Sequence, residues 1–344
     1  KSRKPGYFGI DKKNSLEAAK KDAEKEGLDY LTGIIENVAY SVAHEQVDML
    51  WDTVRNAPKT IAKSRNEFIV QMIDEFQFLN AKVYWDKEKK NRADTLAGGY
   101  LGTAESKIAP LLVSGSWVGW LMNELNTMLP ARFKYEYLGN MPEDEAVEMV
   151  YKYSEFFEVP VTEETAYLIA QISEGSPFYI SSILRSRSRD KGLTTIGGLI
   201  ETLKFETLDN RGSVKSTWME YVLTAFNQVN GKNAKRVVLY LCKNRDREVT
   251  RKELLEKLAL DMDDAELEKK LNALIMADII SPGTSNFRYR GVSDNIFDKV
   301  FRGVYEEEIR EFDVSIIEKE YGEAFEKFKK KYHNLLGKYN YQKG

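Results

Sequence analysis

Two segments of the chain run apolar without the strict alternation of a half-exposed strand, and each reads as a short strand buried on both faces. They are FIVQMID at 68–74 and PLLVS at 110–114, the latter within APLLVSGSW (109–117). A third, shorter strand is expected within MLPARFKYEYLGNMP, 128–142. Helix-length sequence separates the three, which is the layout of a parallel α/β sheet. Ahead of them, residues 15–58 place apolar side chains three and four apart and predict two or three helices. KSRKPGYFGIDKKNS (1–15) reads as a loop, and 80–108 as a polar, glycine-containing insertion.

After Pro142 the strand pattern stops. PEDEAVEMVYKYSEFF, TEETAYLIAQISEG, SPFYISSILRSRSRD and TTIGGLIETLKFET predict four helices in roughly 65 residues. Glu143, Asp144 and Glu145 crowd the first turn of the first, where the helix dipole favours them. DNRGS (209–213) is a turn-rich link. Four more helices follow, the last of them DDAELEKKLNALIMAD, and then IISPGTSNFRYRGV, a β-hairpin expected around Pro282-Gly283. Helices closed by a hairpin give the order of a winged helix. A final helix pair is expected at 294–311 and 315–339. The boundaries read from this pattern are 1–138, 139–208, 209–311 and 312–344.

Chemistry enters at the strand ends. The first strand terminates in Asp74-Glu75 and the second in Ser114 and Ser116. A carboxylate closing a core strand is costly unless it holds a cation or accepts hydrogen bonds. Ligands of open α/β sheets bind outside the carboxyl ends of strands. The two strands are therefore expected to be adjacent and parallel, with Asp74 and Ser114 at one edge.

Composition narrows the classes. The chain has 344 residues, room for two or three domains, with 42% apolar and 31% charged residues. A net charge of −3 argues against a general polyanion binder. Cys242 is the sole cysteine and sits in an apolar helical run, so no internal disulfide forms and a reducing, cytoplasmic setting is expected. No stretch of about 18 apolar residues predicts a membrane span. His44 and His333 stand far apart without cysteines, which disfavours zinc.

In their order these segments resemble the AAA+-like signal-transduction ATPases, the STAND class, in particular the archaeal-type ATPase group; the layout is also similar to that of origin-recognition ATPases. The resemblance covers residues 65–310. It implies a P-loop NTPase-like α/β core, then a helical lid, then a winged helix. FIVQMIDEFQ looks like the Walker B strand, with Asp74 supporting Mg²⁺ and Glu75 orienting the attacking water. LLVSGSW looks like the sensor-1 strand, with Ser114 or Ser116 near the γ-phosphate; a tight turn after a strand is the plainer reading of both serines. Arg132 would sense a neighbouring subunit's nucleotide or its own, or be an ordinary surface arginine. SEGSPFYISSIL matches the Gly-x-Pro segment that starts a lid helix beside the base, with Gly175, Ser176 and Pro177; the same residues suit any helix–turn–helix. The resemblance implies ATP and Mg²⁺ as cofactors.

One element of that class has no counterpart in the sequence. The phosphate loop G-x-x-x-x-G-K-[ST] does not occur. The chain opens on Lys rather than Met, and the expectation is that the loop lies upstream.

Other features have plain explanations beside functional ones. Trp117 and Trp120 fit core packing better than base stacking. RSRSRD (185–190), read as helix, puts Arg185 and Arg189 on one face and Arg187 away; phosphate binding and a solvated basic helix end explain it equally. The basic, aromatic C-terminal segment is read as a solvated amphipathic helix. The helix that a winged helix would present to DNA carries Asp263, Asp264, Glu266 and Glu268 against Lys269 and Lys270, and phosphate repulsion opposes docking. Arg288 and Arg290 are the hairpin's basic side chains. The expected partner is a protein or a second copy, with DNA contact left to other surfaces. The expected function is an ATP-driven switch. The alternatives are an inactive ATPase-fold scaffold, or a DNA-associated protein of a mobile-element or defence system.

Overall fold

The computed structural model describes residues 15–116, 118–188, 192–229, 233–292, 294–308 and 314–343. The expected N-terminal loop, Trp117 and Arg189 lie outside the described residues, apart from Ser15 of the loop. The chain divides into two units, Lys1–Tyr135 and Glu136–Gly344.

In the first unit, Ser15 starts helix α1 (Leu16–Lys25) by accepting the Ala18 N–H at 3.2 Å. Helices α2 (Asp29–Ala43) and α3 (Val47–Arg65) follow, and α3 ends where Asn66 turns left-handed at φ 53°. Strands β1 (Gln71–Ile73) and β2 (Leu111–Val113) pair in parallel, Gln71 opposite Leu111 and Ile73 opposite Val113. Short helices α4 (Phe78–Ala81) and α5 (Leu101–Ala104) lie between them, and α6 (Val118–Met128) follows β2. The expected adjacency of the two strands is present.

Two expectations for this unit are corrected. The strands are not buried on both faces. Ile73, Leu111 and Val113 pack on a core of Phe76, Ala97, Tyr100, Leu125 and Leu129. On the opposite face Phe68 is 67% and Met72 75% exposed, with Val70 and Leu112 exposed beside them. With only two strands, one sheet face finds cover and the other does not. The third strand is also absent: residues 132–142 adopt no regular structure, and no strand of the described sheets pairs with them. A backbone without a ladder partner has no reason to stay in strand form.

The second unit begins with the four expected helices, α7 (Glu143–Phe156), α8 (Glu163–Ile172), α9 (Pro177–Leu184) and α10 (Ile196–Leu208). Thr162 and Thr165 close a reciprocal cap on α8, each side chain meeting the other's backbone N–H. Val150, Leu168, Ile169, Ile180, Ile183 and Leu203 form their common core. Helix α16 (Val314–Lys343) inserts Tyr321 and Phe325 into that core.

Between α10 and α16 come α11 (Ser213–Val229), α12 (Ala234–Lys243), α13 (Arg251–Leu258), α14 (Asp264–Met276) and α15 (Asn295–Glu308). Strands β3 (Val249–Thr250), β4 (Ser281–Pro282) and β5 (Arg288–Arg290) make an antiparallel sheet in the order β3-β5-β4. The hairpin is present, but Pro282 lies in β4 and the loop runs over 283–287, longer than a turn around Pro282-Gly283. Asp263 caps α14 by accepting the Glu266 N–H at 2.7 Å. Cys242 is buried and unpaired, and burial pushes its thiol well up. No helix among the described residues is long and apolar enough to cross a membrane.

Candidate functional site

Parallel pairing in register fixes the geometry of the candidate site. Because Ile73 lies opposite Val113, the residues that follow both strands emerge at one edge. The ladder carries on past them: the Ser114 N–H donates to Ile73 O and the Phe76 N–H to Ser114 O, both at 3.0 Å. Asp74 and Glu75 are therefore set beside Ser114 and Ser116.

The side chains interlock. Ser114 Oγ donates to Asp74 Oδ1 at 2.6 Å, and the Glu75 N–H donates to the same oxygen at 3.0 Å. Ser116 donates through Oγ to Glu75 Oε1 at 2.7 Å and through its N–H to Oε2 at 3.4 Å. Gln77 Nε2 also donates to Glu75 Oε2. Asp74 is exposed and Glu75 partly so. The next residue, Phe76, is fully buried in the core. The chain makes this reversal with Glu75 at φ 52°, a left-handed conformation that costs a non-glycine residue about 1–2 kcal/mol. Strain of this kind persists where surrounding contacts hold it, often at functional sites.

Two residues of this edge escaped the sequence reading. Gln77 is 1% exposed, and while its Nε2 serves Glu75, its Oε1 has no partner. Gly115 makes room for it, since a Cβ there would fall 2.2 Å from that Oε1. Nothing in DEFQFL marks Gln77 as buried, because a glutamine after two carboxylates reads as the start of a polar turn. Gly115, between the two serines, carries no signal of its own in the sequence.

The donor set suits a hard cation. Two carboxylates and two hydroxyls offer oxygen alone, and Mg²⁺ takes one or two carboxylates together with phosphate oxygens and water. Among the described residues no group of three or more His, Cys, Asp or Glu side chains could hold a metal.

The other sequence candidates lie elsewhere. Arg132, beyond α6, donates from Nε to Glu105 at 2.7 Å and from Nη1 to Pro130 O at 3.2 Å, and makes no hydrogen bond to the strand-edge groups. Gly175 and Pro177 belong to the second unit. Gly175 is at φ 73°, and a Cβ there would sit 2.1 Å from the Met141 carbonyl oxygen, so the position requires glycine. Met141 N–H donates to Gly175 O at 3.0 Å, and Pro177 fills the first turn of α9. Trp120 lies half-buried on α6. Arg185 and Arg187 are not on a helix face, because α9 ends at Leu184. His44 stacks on Tyr40 in the first unit, and His333 lies beside Tyr332 in the second.

The acidic end of α14 is engaged within the protein. Asp264 and Glu268 both hold the buried Arg251, at 3.0 and 2.6 Å, and Glu266 lies 3.8 Å from Lys270. In the hairpin, Glu248 takes Arg290 at 2.9 Å and Arg288 at 3.9 Å.

No protein-family model and no curated protein matches the chain. Among solved structures, it is similar to a Walker-type ATPase of Pyrococcus abyssi, at 16% identity and a TM-score of 0.48, over 74% of this chain and 68% of that one. It is also similar to the RuvB Holliday junction branch migration motor of Thermotoga maritima, at 15% identity and a TM-score of 0.29, over 70% of this chain and 80% of that one.

Proposed function

We infer that the chain belongs to an ATP-binding molecular switch of the AAA+/STAND kind, and that the strand edge of the first unit is the metal- and water-facing part of its nucleotide site. One observation carries this reading: Asp74 and Glu75 stand side by side at the carboxyl end of parallel strands, each held by a serine from the neighbouring strand. Asp74, exposed and with Oδ2 unused, holds Mg²⁺. Glu75, oriented by Ser116 and Gln77, positions a water and takes its proton. Ser114 and Ser116 report the state of that site by switching between the carboxylates and a phosphate oxygen. Mg²⁺, when bound, neutralises charge on the phosphate oxygens.

Helices α7 to α10 would be the counterpart of that class's lid, with Gly175 and Pro177 in its Gly-x-Pro step. Arg132 exchanges Glu105 for a nucleotide phosphate. The helices and small sheet from α12 to β5 form a winged helix that packs on protein, a partner or a second copy, since the acidic end of α14 and the hairpin arginines are already engaged. The setting is the cytoplasm. Exchange of the bound nucleotide is the switch.

A second reading has support in the same geometry. Both carboxylates already accept hydrogen bonds, so an ATPase-like scaffold without hydrolysis also satisfies the edge. The test uses the complete reading frame that contains this chain, because the 344 residues hold no G-x-x-x-x-G-K-[ST] loop. Glu75→Gln is expected to keep Mg²⁺-ATP binding and to lower turnover at least about a hundredfold, as loss of a general base commonly does. Turnover equal to wild type rejects the assignment of Glu75. Absence of ATP binding in the wild-type protein favours the scaffold.

A further inference from the structure

Three arginines surround one concavity of the second unit. The C-terminal ends of α7 and α9 meet the junction of α10 and α11 around a cavity of about 640 Å³. Arg185, Arg187 and Arg211 line it together with the apolar Phe157, Val159 and Leu184.

The charges are not equivalent. Arg211 is committed: its Nε and Nη2 grip Asp209 at 2.9 and 2.8 Å, which holds that carboxyl far below the usual range. Glu206, the one acidic side chain in the lining, is buried and also committed. It accepts the Ser213 N–H at 2.8 Å, Ser213 Oγ at 2.7 Å and the Val214 N–H at 3.3 Å, capping α11. Ser216 Oγ donates to Ser213 O at 3.0 Å. Arg185 and Arg187 are exposed and form no ion pair among the described residues. The carboxyl end of α9 favours a cation at Arg185 through the helix dipole. No such reason covers Arg187, which lies past the end of the helix yet lines the same cavity.

We propose that this cavity binds a small phosphorylated molecule, its phosphate held by Arg185 and Arg187 and its carbon skeleton laid on Phe157 and Val159. Guanidinium groups match phosphate oxygens in pairs of parallel hydrogen bonds. The volume lies within the range of small-ligand pockets. A nucleic-acid strand asks instead for a long basic track, which a chain of net charge −3 does not suggest. The cavity opens at the carboxyl end of α9, whereas Gly175 and Pro177 stand at its amino end, about 12 Å away along eight residues of helix. The proposal does not rest on the strand-edge reading.

Calorimetric titration of the whole chain with phenyl phosphate tests it. Phenyl phosphate is expected to bind at least about tenfold more tightly than inorganic phosphate, since only it uses the apolar wall. The double variant R185Q/R187Q is expected to lose at least about tenfold in affinity, and R185K/R187K to fall between, because lysine keeps the charge without the fork. Both arginines are exposed, so the variants should melt with the wild type. Asp74→Asn is expected to bind phenyl phosphate as the wild type does, which separates this cavity from the strand edge. The proposal is overturned if the wild type does not bind phenyl phosphate, if R185Q/R187Q binds it unchanged, or if inorganic phosphate binds as tightly. Tighter binding of a single-stranded oligonucleotide through the same two arginines overturns it as well.

Discussion

The two units spend their apolar residues differently. In the second, helices α7 to α10 and α16 converge on one core, and Ile180, Ile183, Leu199, Tyr321 and Phe325 are all buried there. In the first, the sheet covers one face only, and Phe68, Val70, Met72 and Leu112 remain exposed on the other. Stability and chemistry part along the same line. The second unit's special residues, such as Gly175, are explained by packing. The first unit's special residues, Asp74 and Glu75 with their serines, are held by polar contacts at an exposed edge that packing does not require.

The sharpest contrast sets Phe325→Ala against Met72→Ser. Emptying the Phe325 site is expected to cost about 3–5 kcal/mol, the usual range for a buried aromatic. Met72→Ser is expected to change stability by less than about 0.5 kcal/mol, as surface substitutions do. Thermal melts of both variants check this, and a larger loss for Met72→Ser would break the comparison. Two glycines sharpen it. Gly175→Ala drives a Cβ onto the Met141 carbonyl in a left-handed backbone, and roughly 1–3 kcal/mol is expected from that strain. Gly115→Ala meets the end of the Gln77 side chain instead, which can move. It should cost less than Gly175→Ala in the same melts while disturbing Glu75, so under the proposed function ATP turnover should fall more than stability.

The smallest expected effect is a pH dependence in the second unit. The Arg247 guanidinium and then the Tyr240 hydroxyl beside Glu253 hold its carboxyl down, from 4.5 to about 2. A depressed carboxyl contributes stability that is present above the unfolded value and is lost as pH falls through the folded one. The loss therefore spans the window from about 4.5 down to about 2. Glu253→Gln is expected to flatten acid unfolding in that window. The pair is largely solvated, so the change should be a fraction of the exposed-pair range of about 1 kcal/mol.

How much of this was legible in the sequence varies along the chain. The four helices after Pro142 were readable because apolar spacing, the acidic first turn of α7 and the Gly-x-Pro step agree with one another. The strand edge was readable because both apolar runs end in polar residues, Asp74-Glu75 and Ser114, where open α/β sheets bind ligands, although a solvated acidic turn explains the carboxylates as well. The single-sided burial of the strands was not readable. An apolar run says that cover is favourable, and it does not say that cover is present. The strand expected in 128–142 failed because alternating aromatics need a neighbouring ladder that no pattern within the segment supplies. Arg187 was turned away from Arg185 on paper by assuming that the helix continued. The helix stops at Leu184, and the loop brings both arginines to one cavity.

The proposed function has the strand edge hold a divalent cation with a nucleotide. Its most direct measurement is ATP affinity with and without Mg²⁺, in the complete reading frame, for wild type and Asp74→Asn. The wild type is expected to bind ATP more tightly with Mg²⁺ than with chelator, and Asp74→Asn to lose most of that difference while keeping its fold. An Asp74→Asn protein with the full wild-type response to Mg²⁺ would contradict the account.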